Sequence, residues 1–139
     1  VGATSSSVAV NPGAANRLVM LTQPSSTATA GVAFAQQPVL RVEDQFGNLR
    51  NGDDSTVVTA ARAAGSGTLQ GPTTATAANG IVAFADLAHS VATNITIQFT
   101  SAGLVSTNST VIAVSPAPAN QLTIATPPSA SATAGAAFA

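Results

Sequence analysis

The chain has 139 residues, of which only four are basic and five acidic, for a formal net charge of −1 at neutral pH. All four cations are arginines (Arg17, Arg41, Arg50, Arg62), and they form no cluster, so the several cationic contacts that a phosphate backbone or an anionic membrane surface needs are missing. With no cysteine and no lysine, disulfides, thiolate metal sites, cysteine nucleophiles and Lys–Asn isopeptide crosslinks are excluded together.

Mean hydropathy is +0.36, which separates the chain from disordered sequences of low hydrophobicity and high net charge. Charged residues make up 6%, against the usual quarter or so, so Thr, Ser, Asn, Gln and Gly must cover the surface. No apolar run approaches the roughly 20 residues of a spanning helix, and no charged n-region followed by an apolar h-region opens the chain.

In chain order, the first strand is expected at Leu18-Val19-Met20-Leu21, a β-prone run of strand length. Pro38-Val39-Leu40-Arg41-Val42-Glu43 follows, with Leu40 and Val42 inward, Arg41 and Glu43 outward, and the proline at the strand start, where a missing N–H is tolerated. Gly47-Asn48 and Asn51-Gly52 mark turns. Thr56-Val57-Val58-Thr59 is the next strand, leading into Thr59-Ala60-Ala61-Arg62-Ala63-Ala64, the one helix-tolerant stretch. After the Gly65-Ser66-Gly67 turn, Thr73-Thr74-Ala75-Thr76 and Ile81-Val82-Ala83-Phe84 flank Asn79-Gly80, a strong hairpin signal. Ile95-Thr96-Ile97-Gln98-Phe99-Thr100 alternates without a fault, placing Ile95, Ile97 and Phe99 on one face. Val111-Ile112-Ala113-Val114 closes the series. About seven strands in some 100 residues, with turns every 8–12, predict an all-β sandwich.

Residues 5–35 return as 109–139. Ala15-Asn16-Arg17-Leu18 reappears as Ala119-Asn120-Gln121-Leu122, and Thr29-Ala30-Gly31-Val32-Ala33-Phe34-Ala35 as Thr133-Ala134-Gly135-Ala136-Ala137-Phe138-Ala139. Of the 31 aligned pairs 17 are identical, on a period of 104 residues, which is one domain length and therefore reads as a tandem array. The expected organisation is 1–14 as the C-terminal strand of a preceding repeat, 15–118 as a complete repeat, and 119–139 as the N-terminal part of a following one. On this reading Val8–Val10 is a spare last strand and Leu122–Thr126 a spare first strand. Such strands expose ladder edges and offer strand addition to a neighbouring subunit; a window cut from a continuous array gives the same picture. Ser115-Pro116-Ala117-Pro118, echoed by Asn11-Pro12-Gly13-Ala14, predicts a semi-rigid polyproline-like link between units.

Val42-Glu43-Asp44-Gln45-Phe46-Gly47-Asn48-Leu49, then Gly67-Thr68-Leu69, then Asn79-Gly80-Ile81-Val82-Ala83-Phe84 stand in the order seen in bacterial immunoglobulin-like repeats of the invasin/intimin type, which this segment, roughly 38–112, resembles. The resemblance implies an Ig-like Greek-key β-sandwich serving as an extracellular stalk or spacer in surface adhesins, fimbriae and other appendages. The Cys…Trp…Cys core of antibody-type domains is absent, so the kinship is with the bacterial group alone.

No catalytic, cofactor-binding or metal-binding residue set is assigned, and no cofactor is expected. Asp44 is expected to accept the backbone N–H groups of the Gln45–Asn48 turn; the alternative joins Asp44 and Asn48 with Asp53 and Asp54 in a calcium site, although no spacing matches a known loop. His89, the single histidine, is expected in a solvated loop near Asp86, which itself is expected to cap a turn. A triad would need a strained nucleophile turn that the sequence lacks. Asn94-Ile95-Thr96 and Asn108-Ser109-Thr110 are formal N-glycosylation sequons. Phe46 is expected as a core plug under its turn, with an exposed binding aromatic as the alternative.

These expectations converge on a structural repeat unit of an extended extracellular stalk or filament at the cell surface, without catalysis. Its partners would be neighbouring repeats of the same protein, extending to a homopolymer if strands are exchanged, with no nucleic acid and no membrane insertion in this segment. The alternative is an adhesin module that binds glycan or host protein through its loops; an accessory domain of a secreted hydrolase is a third class.

Overall fold

The computed structural model describes residues 1–137; Phe138 and Ala139, the last pair of the repeat, lie outside them. Eleven strands and no helix occur among the described residues. They are β1 (Arg17–Thr22), β2 (Thr27–Thr29), β3 (Val39–Glu43), β4 (Val57–Ala64), β5 (Leu69–Gln70), β6 (Thr74–Thr76), β7 (Ile81–Ala83), β8 (Ala88–His89), β9 (Asn94–Thr100), β10 (Thr107–Asn108) and β11 (Ile112–Ser115). The seven expected strands are β1, β3, β4, β6, β7, β9 and β11. The four additions are segments of two or three residues, too short to show a period in sequence.

Two main sheets form. One runs β1-β3-β7, antiparallel throughout. The other runs β2-β11-β9-β4-β6, with β10 also paired to β9. A small β5-β8 ladder stands apart. β1 and β2, separated by a few residues, go to different sheets, and β2 pairs with β11 in parallel. Pro24, buried in the intervening segment, cannot donate to a ladder, which suits a place where the chain leaves one sheet for the other.

Alternation decides what is buried. Leu18 from β1, Leu40 and Val42 from β3, and Val82 from β7 meet Val58 and Ala60 from β4, Ile95, Ile97 and Phe99 from β9, and Ile112 and Val114 from β11 in one apolar cluster. Phe84 and Phe99, with ring centroids 5.3 Å apart and planes tilted by 55°, join the end of β7 to β9 across it. Every residue of this cluster lies between Leu18 and Val114, so the span 15–118 encloses its own core.

Two local expectations are corrected, and the helix-tolerant stretch is strand. Thr59–Ala64 continues β4 and pairs along its length with β9, while β6 pairs with Val57–Thr59, so tertiary pairing overrides alanine's helix propensity. Asn79-Gly80 makes the tight turn, with φ of 51° and 76° and paired bonds between Ala78 and Ile81. Its flanks then part, however, β6 to β4 and β7 to β3, so the turn links the two sheets and closes no long hairpin. Glu43 is not outward but buried, in ion pairs with Arg17 at 2.8 Å and Arg41 at 2.6 Å.

The two spare strands do not form. Val8 and Val10 are 82% and 88% exposed, where their counterparts Ile112 and Val114 are 0% and 6%. Leu122 and Ile124 are 100% and 76% exposed, whereas Leu18 is 3%. The physical reason is the missing partners: β11 needs β9 and β2 beside it, and β1 needs β3. The counterparts of these partners are not supplied to either tail. One feature of the repeat does recur. Val32 N–H donates to the Thr29 carbonyl at 3.0 Å, and 104 positions on Ala136 N–H donates to Thr133 at 3.0 Å, with Gly31 and Gly135 both left-handed at φ 78° and 83°.

Candidate functional site

β3 ends at Glu43, and the chain turns at Asp44. The Asp44 carboxylate is almost fully buried and accepts four hydrogen bonds. Oδ1 takes the N–H groups of Phe46 and Asn48, both at 2.9 Å. Oδ2 takes the Asn48 side-chain amide at 2.9 Å and, from 31 residues upstream, the Gly13 N–H at 2.8 Å. The turn is closed by Asp44 N–H to the Asn48 carbonyl at 3.0 Å, with Gly47 at φ 89°. The Asx-turn expected for Asp44 is therefore present, and one of its two oxygens also reaches the segment that enters the unit.

Arg50 completes the grip. Its Nη1 donates to the Gly13 carbonyl at 2.7 Å and to the Pro12 carbonyl at 3.4 Å. Gly13 is thus held at both backbone groups, N–H by the carboxylate and C=O by the guanidinium. Charge-assisted bonds of this kind are the stronger class. Just beyond, Asn16 N–H donates to the Glu43 carbonyl at 2.8 Å, which starts the β1–β3 ladder. The entering segment is tied down before its first strand begins.

Arg50 is itself positioned by the Asn79-Gly80 turn. Asp53 N–H bonds the Arg50 carbonyl at 2.9 Å, Gly80 N–H bonds the Asp53 carbonyl at 2.8 Å, and Asp54 accepts Asn79 N–H at 2.6 Å. A Cβ on Gly80 would run into the Arg50 carbonyl, so only glycine allows this close approach. The Asp-x-x-Gly-Asn and Asn-Gly motifs, 30 residues apart in sequence, therefore build one structure.

The electrostatics follow from these bonds. The Asn48 amide, and then the N–H groups of Gly13, Asn48 and Phe46, hold the Asp44 carboxyl well below its ordinary range, against the opposing effect of desolvation. For Asp53 desolvation is the largest single influence and raises its pKa. It is outweighed by bonds from the Thr56 hydroxyl at 2.6 Å, from the Thr56 and Ser55 N–H groups, and by the charge of Arg50, so the net shift is downward.

The remaining candidates fall elsewhere. Asp44 and Asp53 each spend both oxygens on N–H or O–H donors and Asp54 accepts from Asn79 through Oδ1, and no group of three acidic or histidine side chains is gathered among the described residues. The calcium alternative is not assembled. His89 is corrected from a solvated loop to a fully buried position in β8, where Nδ1 lies 2.9 Å from the Val91 carbonyl. Its burial comes from the Gly67 turn lying over the ring, a long-range contact that no local pattern reveals. Asp86 takes a left-handed turn position at φ 56°. Asn94 and Asn108 are exposed, at the start of β9 and in β10. Phe46 is also corrected: it is no core plug but 77% exposed at the tip of the Asp44 turn.

The residue that sequence reading missed is Arg50. Its spacing to Asp44 carries no motif, and only the fold brings both to the entering segment. The signal available was indirect: one of four arginines in a chain almost without charge, placed between two turn motifs.

No family model matches the chain, and no curated protein matches it. Among solved structures it is similar to a ZirS C-terminal domain, with a TM-score of 0.43, 15% identity, and 81% of this chain and 86% of that chain covered. A likeness this loose carries no argument about the site.

Proposed function

We propose that the chain is part of a tandem array of Ig-like Greek-key sandwiches that works structurally, as a stalk or filament segment outside the cell. The observation that carries this reading is the grip of Asp44 and Arg50 on Pro12 and Gly13. These two residues belong to the echo of Ser115–Pro118, and a spacer array needs its links held so that successive units do not swivel. The strand orders β1-β3-β7 and β11-β9-β4 support the Ig-like part of this reading, in which β1, β3 and β7 would stand for strands A, B and E and β4, β9 and β11 for C, F and G. The first strand of that scheme would be shared between the sheets, as β1 and β2.

The binding-module alternative has little to stand on. Among the described residues Phe46 is the exposed aromatic available to it, and Phe46 sits at the pole where the preceding unit would attach. Electron microscopy of the native protein on and off cells tests the array reading. Extended beaded chains or filaments with an axial repeat of one or a few units are expected. Compact isolated particles would overturn it.

A further inference from the structure

The exposed Phe46 and the opposite pole of the same unit fit together. At that pole a shallow groove is lined by Thr27, Ala28, Thr29, Val32, Ala33 and Ser115. Its walls are small side chains, and Val32 is half exposed. The groove is framed by bonds from Ala30 N–H to the Ser115 carbonyl at 2.8 Å and from Gly31 N–H to the His89 carbonyl at 2.9 Å, so it is a built surface at the exit of β11. The head of the next repeat forms the same kind of concavity with the corresponding residues, Ser131, Ala132, Thr133, Ala136 and Ala137.

We infer that in the array Phe46 of each unit docks into the groove of the unit before it, making an aromatic plug at every junction. This rests on the tandem-array reading and gives it a contact. The argument is one of reach. Ser115 lines the groove, and two residues later Ala117 occupies the place of Gly13, whose N–H is held by Asp44. Two residues span at most about 7 Å, and Phe46 lies two residues from Asp44. In Ser115-Pro116-Ala117-Pro118 the flanking prolines have no N–H, so Ala117 is the residue able to donate to that carboxylate.

Alanine also fits there. A Cβ on Gly13 would stand 3.4 Å from Asp44 Oδ2, an ordinary contact, and Gly13 needs no left-handed φ. The clamp therefore fixes the turn that carries Phe46 beside the exit of the preceding β11. A wide aromatic meets a small-residue concavity, and the charges beside its turn already have partners of their own, Asp44 in N–H groups and Glu43 in Arg17 and Arg41.

The test extends the natural chain so that a second unit is completed. Residue 139 corresponds to 35, so residues 36–118 are appended after Ala139, leaving the Ser115–Pro118 link untouched. The chain has no cysteine, so single thiols report cleanly. Val32→Cys in the first unit, whose groove the appended unit would cover, is the probe, and the same Val32→Cys with Phe46→Ala in the appended unit is the open reference. Docking predicts that a small maleimide labels the probe about tenfold or more slower than the reference, as burial under a large apolar side chain implies, and that Val32→Cys combined with Phe46→Cys in the appended unit gives an intramolecular disulfide on mild oxidation.

Equal labelling rates in a folded two-unit chain would overturn the plug and leave the array reading standing. If the amides of Leu122–Thr126 stay unprotected after the extension, the second unit has not formed across the repeat, and both readings fall. The single-unit Phe46→Ala variant is expected to keep the Tm of the parent. A large drop there would mean that Phe46 serves its own unit, which also overturns the plug.

Discussion

Asp44 holds its turn and the entering chain with the same carboxylate, so removing it acts at two places. In Asp44→Ala the amides of Phe46, Asn48 and Gly13 lose their acceptor and are expected to exchange with solvent far faster, as hydrogen-exchange mass spectrometry or NMR would show; persistent protection at Gly13 would mean Arg50 alone holds the link. The carboxylate also sets an acid limit. Both Asp44 and Asp53 titrate below their ordinary value of 3.8 in the folded chain. Their contribution is therefore complete above the unfolded pKa and is lost as pH falls through the folded ones, because the unfolded chain takes up protons first. The urea midpoint should be level above about pH 5 and fall below pH 4, and Asp44→Asn with Asp53→Asn should start lower and flatten that fall. An unchanged slope would assign it to other groups. Glycine separates two costs in the same way. Gly31 and Gly80 both sit at left-handed φ, so alanine at either should cost about 1 kcal/mol or more. At Gly80 the new Cβ also meets the Arg50 carbonyl, whereas nothing lies within 4 Å at Gly31. Gly80→Ala should be clearly the worse of the two by chemical denaturation.

At the scale of the elements, β9 carries the sheet, with β4 on one side and β11 and β10 on the other. Its faces differ sharply: Ile95, Ile97 and Phe99 are buried, while Thr96 and Gln98 are half-buried on the other side. Phe99→Ala is expected to cost about 3–5 kcal/mol and Ile97→Ala about 2–5, whereas Gln98→Ala should stay within about 0.5; equilibrium urea unfolding checks the contrast. This strand was legible in sequence because its period of two is uninterrupted, and Leu40 and Val42 were legible for the same reason. Glu43 broke the pattern because its neutralising charges come from β1 and from its own strand, in a register that no single-strand reading supplies. His89 was misread for a related reason, since its cover is the Gly67 turn some 20 residues away. Thr59–Ala64 shows the limit from the other side, where local propensity tolerated a helix and pairing with β9 made it strand. The Asn79-Gly80 turn was legible as a turn and illegible as a joint, because the backbone angles are local while the divergence of β6 and β7 is set by their partners. The site divides likewise. Asp44 with its turn could be read, but Arg50 could not.

For the whole molecule, the informative contrast lies between identical or near-identical segments in unlike surroundings. Leu18 and Leu122 occupy equivalent places in the repeat, one inside a core and one in solvent. Local sequence is held constant between them, so the difference isolates what the rest of the unit contributes. Full burial of a leucine is worth roughly 1.5–3 kcal/mol, and isolated short strands have no means to recover the entropy of ordering without such burial. The tails should then behave as passengers: deleting 119–139 should leave the Tm of the remaining chain unchanged within error, since among the described residues no core residue lies beyond Val114. Completing the unit should do the reverse. When residues 36–118 are appended after Ala139, the amides of Leu122–Thr126 should pass from unprotected to protected, and unfolding should show two units of similar stability. Hydrogen exchange across that segment separates the alternatives without any assumption about the final shape. Protection would make the 104-residue period a structural repeat, whereas free exchange in an otherwise folded chain would reduce it to a likeness of sequence.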